Sequence, residues 1–286
     1  MAPNPLTETL SQQLTLKIKQ KEIEVPMLPE VANKVMRLTQ DSSSVMADLA
    51  NLIQSDQVLA GHVMRIANSA LYAPNTKLVS LQQAISRLGM SIIGEIALAA
   101  SINSKMFNVP GFNKLIQNQL RFSLYSGLWA KEVARVCKRN VEAAFLSGLL
   151  QDIGRPVCLQ AASEIANNLG LALTEAEILP LGNIFGRIIG VQVVHRWEMP
   201  SVLCDVVTWF DQYEKAGNSK ELTMIVVAAS KFAQYGFQVS PEYPILTKQE
   251  LMAHPVMGDL NLYPDDIENL LEKQTNIEGT LESMSQ

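Results

Sequence analysis

Histidine and cysteine are scarce: the 286-residue chain carries three of each. Cys137, Cys158 and Cys204 are an odd number, set far apart, with no Cys-x-x-Cys. That excludes a disulfide framework and a cysteine zinc cluster, and points to a reducing compartment. His62, His195 and His254 are equally scattered, and none has a second His or Cys at ligand spacing. Aromatic residues make up 6% and charged residues 18%. No Gly-rich phosphate loop and no Gly-x-Ser-x-Gly occurs, so the usual nucleotide cradle and serine-hydrolase elbow are both missing. Long hydrophobic runs are lacking too. The best, SIIGEIALAASI from Ser91, is short and contains Glu95, which argues against a membrane span. The first residues, MAPNPLTETLSQQL, lack the basic start and apolar centre of a signal peptide. The expectation is a soluble, cytoplasmic protein.

What the chain has is apolar surface to bury. Hydrophobic residues reach 48%, enough for a sizeable core and too much for whole-chain disorder. Fifteen Gly and thirteen Pro do not amount to a low-complexity or collagen-like composition. The net charge of −5 is unevenly spread, +5 over residues 1–143 and −10 over residues 144–286. This balance excludes a bulk polyanion binder and leaves the first half with a modest basic character.

The periodicity is helical throughout. Leu28, Val31, Val35 and Leu38 follow three-four spacing behind Pro29. Asp41 to Ser44 breaks that helix and offers caps to the next, through Ala47, Leu49, Leu52 and Ile53. Asp56 is placed to cap a third helix with Leu59, Val63, Ile66, Ala67 and Ala70 inward. Ser80 opens a fourth, which Gly89 ends in a left-handed turn, and Ser91 opens a fifth to about Met106. Pro110-Gly111 is the clearest break. Beyond it the pattern predicts a long helix over 112–139 and a helix capped by Asn140. One near Pro156 ends at Gly170, one runs from Leu181 to Trp197 after Pro180, and one starts at Pro200. Further helices cover 220–236 and the acidic tail from Tyr263. No alternating strand pattern appears, so the expected fold is all-α. The expected division is an N-terminal helical extension over 1–24, an N-terminal helical lobe over 25–110, and a second helical lobe with an acidic C-terminal helix over 111–286.

Two stretches are distinctive together. The first contains Leu28-Pro29-Glu30-Val31, Asn68-Ser69-Ala70 and Ala84-Ile85-Ser86-Arg87-Leu88-Gly89. The second is Gly148-Leu149-Leu150-Gln151-Asp152-Ile153-Gly154, followed by Gly190 and Trp197-Glu198-Met199-Pro200. Together they resemble the HD-related output-domain (HDOD) family of bacterial signalling proteins, over about Val25 to Glu214. The resemblance implies an all-helical fold, with an N-terminal helical lobe and a lobe related to HD phosphohydrolases. An active HD site gathers histidines and aspartates around a divalent metal, which acidifies a water for attack on a phosphate ester. On that pattern most ligands are missing here. Phe122 takes the place of the first histidine, and Gln151 that of the histidine in the His-Asp pair. Asp152 is retained. Gly186 stands where a further histidine is frequent, and Phe210 and Asp211 stand where a histidine pair is common. Phenyl groups and a hydrogen do not coordinate metal, and a neutral amide oxygen is a poor substitute for imidazole. The resemblance therefore implies a degenerate pocket, drier and more apolar than an active site, filled by side chains or open to a small apolar ligand. No metal and no cofactor is expected.

The remaining candidates have plain structural readings beside the functional ones. Asp152 also suits a helix cap before Ile153-Gly154-Arg155-Pro156. Gly148 and Gly154 suit close helix packing. Cys137 lies among Lys138 and Arg139, which would favour its thiolate, or is a packing thiol. Lys131, Arg135, Lys138 and Arg139 form a basic stripe at helical spacing, fit for a phosphate, a nucleic acid or an acidic partner, or simply solvated beside Glu132 and Glu142. No aromatic interleaving accompanies the stripe, which argues against nucleic acid. Asn68 and Ser69 end a helix and hold the following loop, or offer a contact surface. Seven carboxylates between Asp259 and Glu282 face a single lysine, Lys273, as a solvated face or one that docks on the basic stripe. The leading functional expectation is a non-catalytic signalling module that acts through a protein partner in a bacterial pathway or senses a small ligand. The alternative is a divergent metal-dependent phosphohydrolase acting on a nucleotide or phosphodiester.

Overall fold

The computed structural model describes residues 5–40, 44–68, 77–102, 106–107, 109–237 and 243–285. Among them every regular element is a helix. A first group comprises α1 (Pro5–Gln20), α2 (Glu30–Gln40), α3 (Met46–Gln54), α4 (Gln57–Ala67) and α5 (Leu81–Ser101). A second comprises α6 (Asn113–Val136), α7 (Val141–Leu150), α8 (Gly154–Asn168), α9 (Glu175–Arg196), α10 (Ser201–Trp209) and α11 (Lys220–Gly236). Four short helices close the chain: α12 (Lys248–Ala253), α13 (Pro255–Asp259), α14 (Pro264–Leu271) and α15 (Gln274–Ser285).

The helix starts follow local chemistry. Asp56 Oδ1 accepts from the amides of Val58 and Leu59, Ser80 Oγ from Gln83, and Asn140 Oδ1 from Ala143. Each bond satisfies an amide that the first helical turn leaves unpaired. Leu59, Val63, Ile66 and Ala67 of α4 are buried as their spacing predicts. In α2 the buried set is Ala32, Val35 and Met36, so the inward face is turned slightly from the predicted one. At Gly89 the backbone leaves helical geometry at φ 82° and ψ 163°, where only glycine is at ease, so the two helical segments expected on either side of it meet at a kink within α5. The predicted caps at 41–43 and the inward Ala70 lie outside the described residues. Ser44 is described, but α3 is preceded by Val45 and has no side-chain cap bond.

Several boundaries differ from the sequence reading. Helix α5 ends at Ser101 rather than near Met106, and the acidic tail forms two helices, α14 and α15, rather than one. Helix α9 begins at Glu175, with Pro180 inside it, because Thr174 and Glu177 form a reciprocal capping box. The carbonyl of Ala176, deprived of a donor by Pro180, lies on an exposed turn where water can pair with it. Helix α6 stops at Val136. Lys138 takes a positive φ of 56°, and the Arg139 amide reaches back to the Ala134 carbonyl at 2.8 Å. This is a Schellman ending with lysine where glycine is usual.

Helices α2 to α5 pack among themselves, as do α6 to α11. Glycine contacts bring the backbones of the second group together. A Cβ on Gly148 would lie 2.8 Å from Gly127 Cα, so α6 and α7 touch main chain to main chain. Gly154 of α8 meets Gly186 and Gly190 of α9 in the same way. The two groups join at α5 and α7, and through a buried ion pair between Lys131 Nζ and Glu95 Oε2 at 2.5 Å. The terminal helices strap the assembly. Helix α1 lies on α8 and α9, with Trp197 Nε1 donating to the Pro26 carbonyl at 2.8 Å. Helix α15 lies across α6 and reaches α4 and α5.

Two helices, α5 and α9, are long and apolar enough to cross a membrane by composition, though neither is an unbroken apolar run. Each contains charged residues, Arg87 and Glu95 in α5 and Arg187 in α9, and about half of each apolar window is buried within the protein.

Candidate functional site: a cradle filled by arginine and tyrosine

Phe122 sits on α6, fully buried. Gln151 and Asp152 lie in the turn between α7 and α8, Gly186 on α9, and Phe210 and Asp211 just past α10. Three further residues tie these six together, and the sequence reading singled out none of them. Tyr243 follows α11, and its ring stacks on Phe122 with centroids 3.6 Å apart, while its hydroxyl donates to Asp152 Oδ2 at 2.6 Å. Arg155, in the first turn of α8, brings Nε to within 2.8 Å of the same oxygen. Its Nη1 donates to Asn183 Oδ1 at 2.7 Å, and its Cζ lies 5.2 Å from the Tyr243 ring centre. Arg187 of α9 donates to the Gln151 carbonyl and, through Nε, to Asp211 Oδ2 at 3.0 Å. Its Cζ lies 4.4 Å above the Phe210 ring.

Asp152 therefore does not cap α8, whose preceding residue, Ile153, makes no side-chain cap bond. Its carboxylate instead turns inward to a guanidinium and a phenol. The cradle is filled by side chains, but it is not simply apolar: two ion pairs and a tyrosine hydroxyl line it. Only 10% of the Asp152 side chain and 19% of the Arg155 side chain are exposed. Their pairing is thus shielded from water and held on several sides, unlike an isolated surface bridge.

The metal that an HD fold implies finds no matching donor set. Among the described residues, Asp152 is the carboxylate that faces the cradle interior, and its Oδ2 already accepts from Tyr243 and Arg155. Among the described residues no three His, Cys, Asp or Glu side chains gather in a way that fits a metal ion. Two open grooves, of about 330 and 400 Å³, include no cradle residue. One runs from Pro110 to Thr174, and the other lies between Ile92, Leu128, Arg135 and Lys273.

The basic stripe does not form. Lys131 is buried against Glu95 and lies 5.4 Å from the Phe145 ring centre. Burial pushes the Glu95 carboxyl above its ordinary range, against the opposing pull of Lys131. Arg135 pairs with Glu132, and Arg139 with Glu221 at 2.6 Å. Lys138 projects from the turn beyond the helix. The acidic tail does dock on α6, but not by pairing its carboxylates with the predicted stripe: Glu282 pairs with Arg121, and Lys273 reaches Glu132 at 2.7 Å. Asn68 holds the base of the following loop, exchanging hydrogen bonds with the Leu78 backbone at 2.7 and 3.0 Å. Ser69 lies outside the described residues. Cys137 is half-buried, and burial together with Glu221 pushes its thiol up, the opposite of activation. His62 is held below its ordinary pKa by burial and by Arg65, and His254 by burial and by Lys231. His254 caps α13.

The fold and the cradle define an all-helical protein of the HD-like class. Residues 25–213 match the HDOD domain, and the chain belongs to that family. An HDOD domain protein of unknown function from Geobacter sulfurreducens is similar at a TM-score of 0.74 and 19% identity, covering 96% of this chain and 97% of that one. A protein of Shewanella amazonensis, provisionally assigned as a metal-dependent phosphohydrolase, also reaches 0.74 at 18% identity, with 97% and 100% covered. At 21% identity, a provisionally assigned signal transduction protein of Marinobacter aquaeolei reaches 0.67, covering 98% of this chain and 66% of its own. A curated protein of Treponema pallidum without assigned function is 21% identical over 208 residues, and the match spans 70% of this chain but 40% of that relative.

Proposed function

We propose that this chain is a non-catalytic HDOD signal-transduction module of a bacterial pathway, located in the cytoplasm. It acts by contact with a protein partner or by sensing a small ligand, without metal or cofactor. One observation carries the reading: the single HD-type carboxylate, Asp152, is engaged by Tyr243 and Arg155. Both contacts fall on Oδ2, and the guanidinium charge beside it repels a cation, so this carboxylate is a poor ligand for a catalytic ion. The signalling assignment rests on family membership and agrees with the provisional assignment of the Marinobacter relative.

The test is hydrolysis of bis(p-nitrophenyl) phosphate by the full chain with Mn²⁺, Fe²⁺ or Mg²⁺. The expected rate equals that of the same solution without protein. Turnover that disappears in Asp152→Ala would establish the alternative, a divergent metal-dependent phosphohydrolase.

A further inference from the structure

We propose that Arg155 supplies, from within the chain, the positive charge that a metal ion supplies in an HD site, and that Gly186 and Phe122 are the residues that admit this replacement. The inference rests on the non-catalytic reading and adds the means by which the cradle stays folded without an ion.

A carboxylate nine-tenths removed from water needs a cation or a proton. Arg155 meets that need three residues on, with Nε at 2.8 Å. The path of its stem is set by Gly186. A Cβ at position 186 would lie 2.9 Å from Arg155 Cγ, closer than side chains tolerate. Any larger residue there, histidine included, would contend with the arginine for the same space. The missing ligand and the added cation are thus one packing event. Asn183, one turn earlier on α9, then fixes the far side of the guanidinium.

Phe122 plays the matching part on the opposite wall. Its ring is the platform on which Tyr243 lies at 3.6 Å, and the stacking aims the phenol at Asp152 Oδ2. Phe237 also meets Phe122, edge-on at 5.5 Å. A third match occurs at the rim. Phe210 and Asp211 hold the Arg187 guanidinium by its face and its edge, and that group closes over the Gln151 carbonyl. Each position that lacks a ligand therefore contacts a group that fills or neutralises the cradle.

The experiment is a pair of double-variant cycles on the full chain, read by reversible urea unfolding. In the first, Arg155→Met leaves Asp152 buried without its cation and raises the unfolding constant at pH 7.5 by roughly tenfold to a hundredfold. Adding Asp152→Asn to that variant removes the stranded charge and costs little more stability, so the two losses are far from additive. In the second cycle, Gly186→Ala destabilises the wild-type chain, and that penalty largely vanishes in an Arg155→Ala background. Additive losses in both cycles, or a Gly186→Ala penalty unchanged when the stem is gone, would overturn the inference. If Arg155→Met does not fold, the Gly186 cycle run in an Asp152→Asn background, where no charge is stranded, and Arg155→Lys, which keeps the charge, decide it. These outcomes are separate from the parent reading: metal-dependent turnover would refute the latter, and additive cycles in an inert protein refute only the former.

Discussion

Replacing Gly154 with alanine should be among the most damaging single-methyl additions the molecule can receive. An ideal Cβ at this position lies 2.6 Å from Gly190 Cα, and nearer still to the Gly186 carbonyl oxygen and the Gly190 nitrogen. All three are main-chain atoms of α9, so no side chain can rotate away. Carbon–carbon contacts are comfortable near 3.5 Å, so α8 and α9 must separate by roughly 1 Å at the crossing. Overpacking a well-filled core costs about 1–3 kcal/mol, and separating two helices also loosens their neighbours. A loss of at least about 3 kcal/mol follows. With an m-value near 3 kcal/mol/M, the urea midpoint falls by about 1 M. Two controls calibrate the argument. Gly148→Ala meets Gly127 Cα at 2.8 Å and should cost less, about 2 kcal/mol. Gly182→Ala meets the tip of Leu159 at 3.3 Å and Arg155 Cγ at an ordinary 3.9 Å, and the helix preference of alanine over glycine, up to ~1 kcal/mol, should make it neutral or stabilising. The assay is urea unfolding followed by helical circular dichroism. A Gly154→Ala chain within about 0.5 kcal/mol of wild type, or equal to Gly182→Ala, would refute the close backbone crossing on which the cradle is built.

Lys131→Met should cost about 3 kcal/mol at pH 7.5, because Glu95 is left buried without its partner. Since burial raises the folded-state pKa of Glu95, the folded chain holds this proton more tightly, and stability declines as pH rises from the unfolded carboxyl value through the folded one. Glu95→Gln should flatten that part of the urea-midpoint profile, and an unchanged slope would assign it elsewhere. Asn68→Ala should cost about 1–2 kcal/mol and speed hydrogen exchange at the Leu78 amide, since that amide loses its acceptor. Unchanged protection at Leu78 would contradict the clasp. Cys137 should react with iodoacetamide at pH 7.5 more slowly than a free thiol, because burial and Glu221 disfavour its thiolate. A faster reaction would contradict that environment.

The helix starts were legible because capping is local: Asp56, Ser80 and Asn140 each lie within three residues of the amides they satisfy. The glycine crossings were legible as small residues at Gly148 and Gly154, though not which helices they bring together. The end of α6 was hidden, because a left-handed lysine is energetically unusual and carries no compositional mark. The basic stripe failed for that reason, and because Lys131 meets Glu95, 36 residues earlier in the chain. The cradle wall was legible as missing ligands. Its filling was not, since Tyr243 reaches Asp152 across 91 residues and Arg187 reaches Gln151 across 36. Arg155 carried a local signal that the sequence reading passed over: an arginine three residues beyond a carboxylate is placed to pair with it.

Calorimetric titration of the chelator-treated full chain with Mn²⁺, alongside Asp152→Ala, tests the filled cradle most directly. The account predicts no saturable heat in either protein. Stoichiometric binding to the wild-type chain that is lost in Asp152→Ala would contradict it.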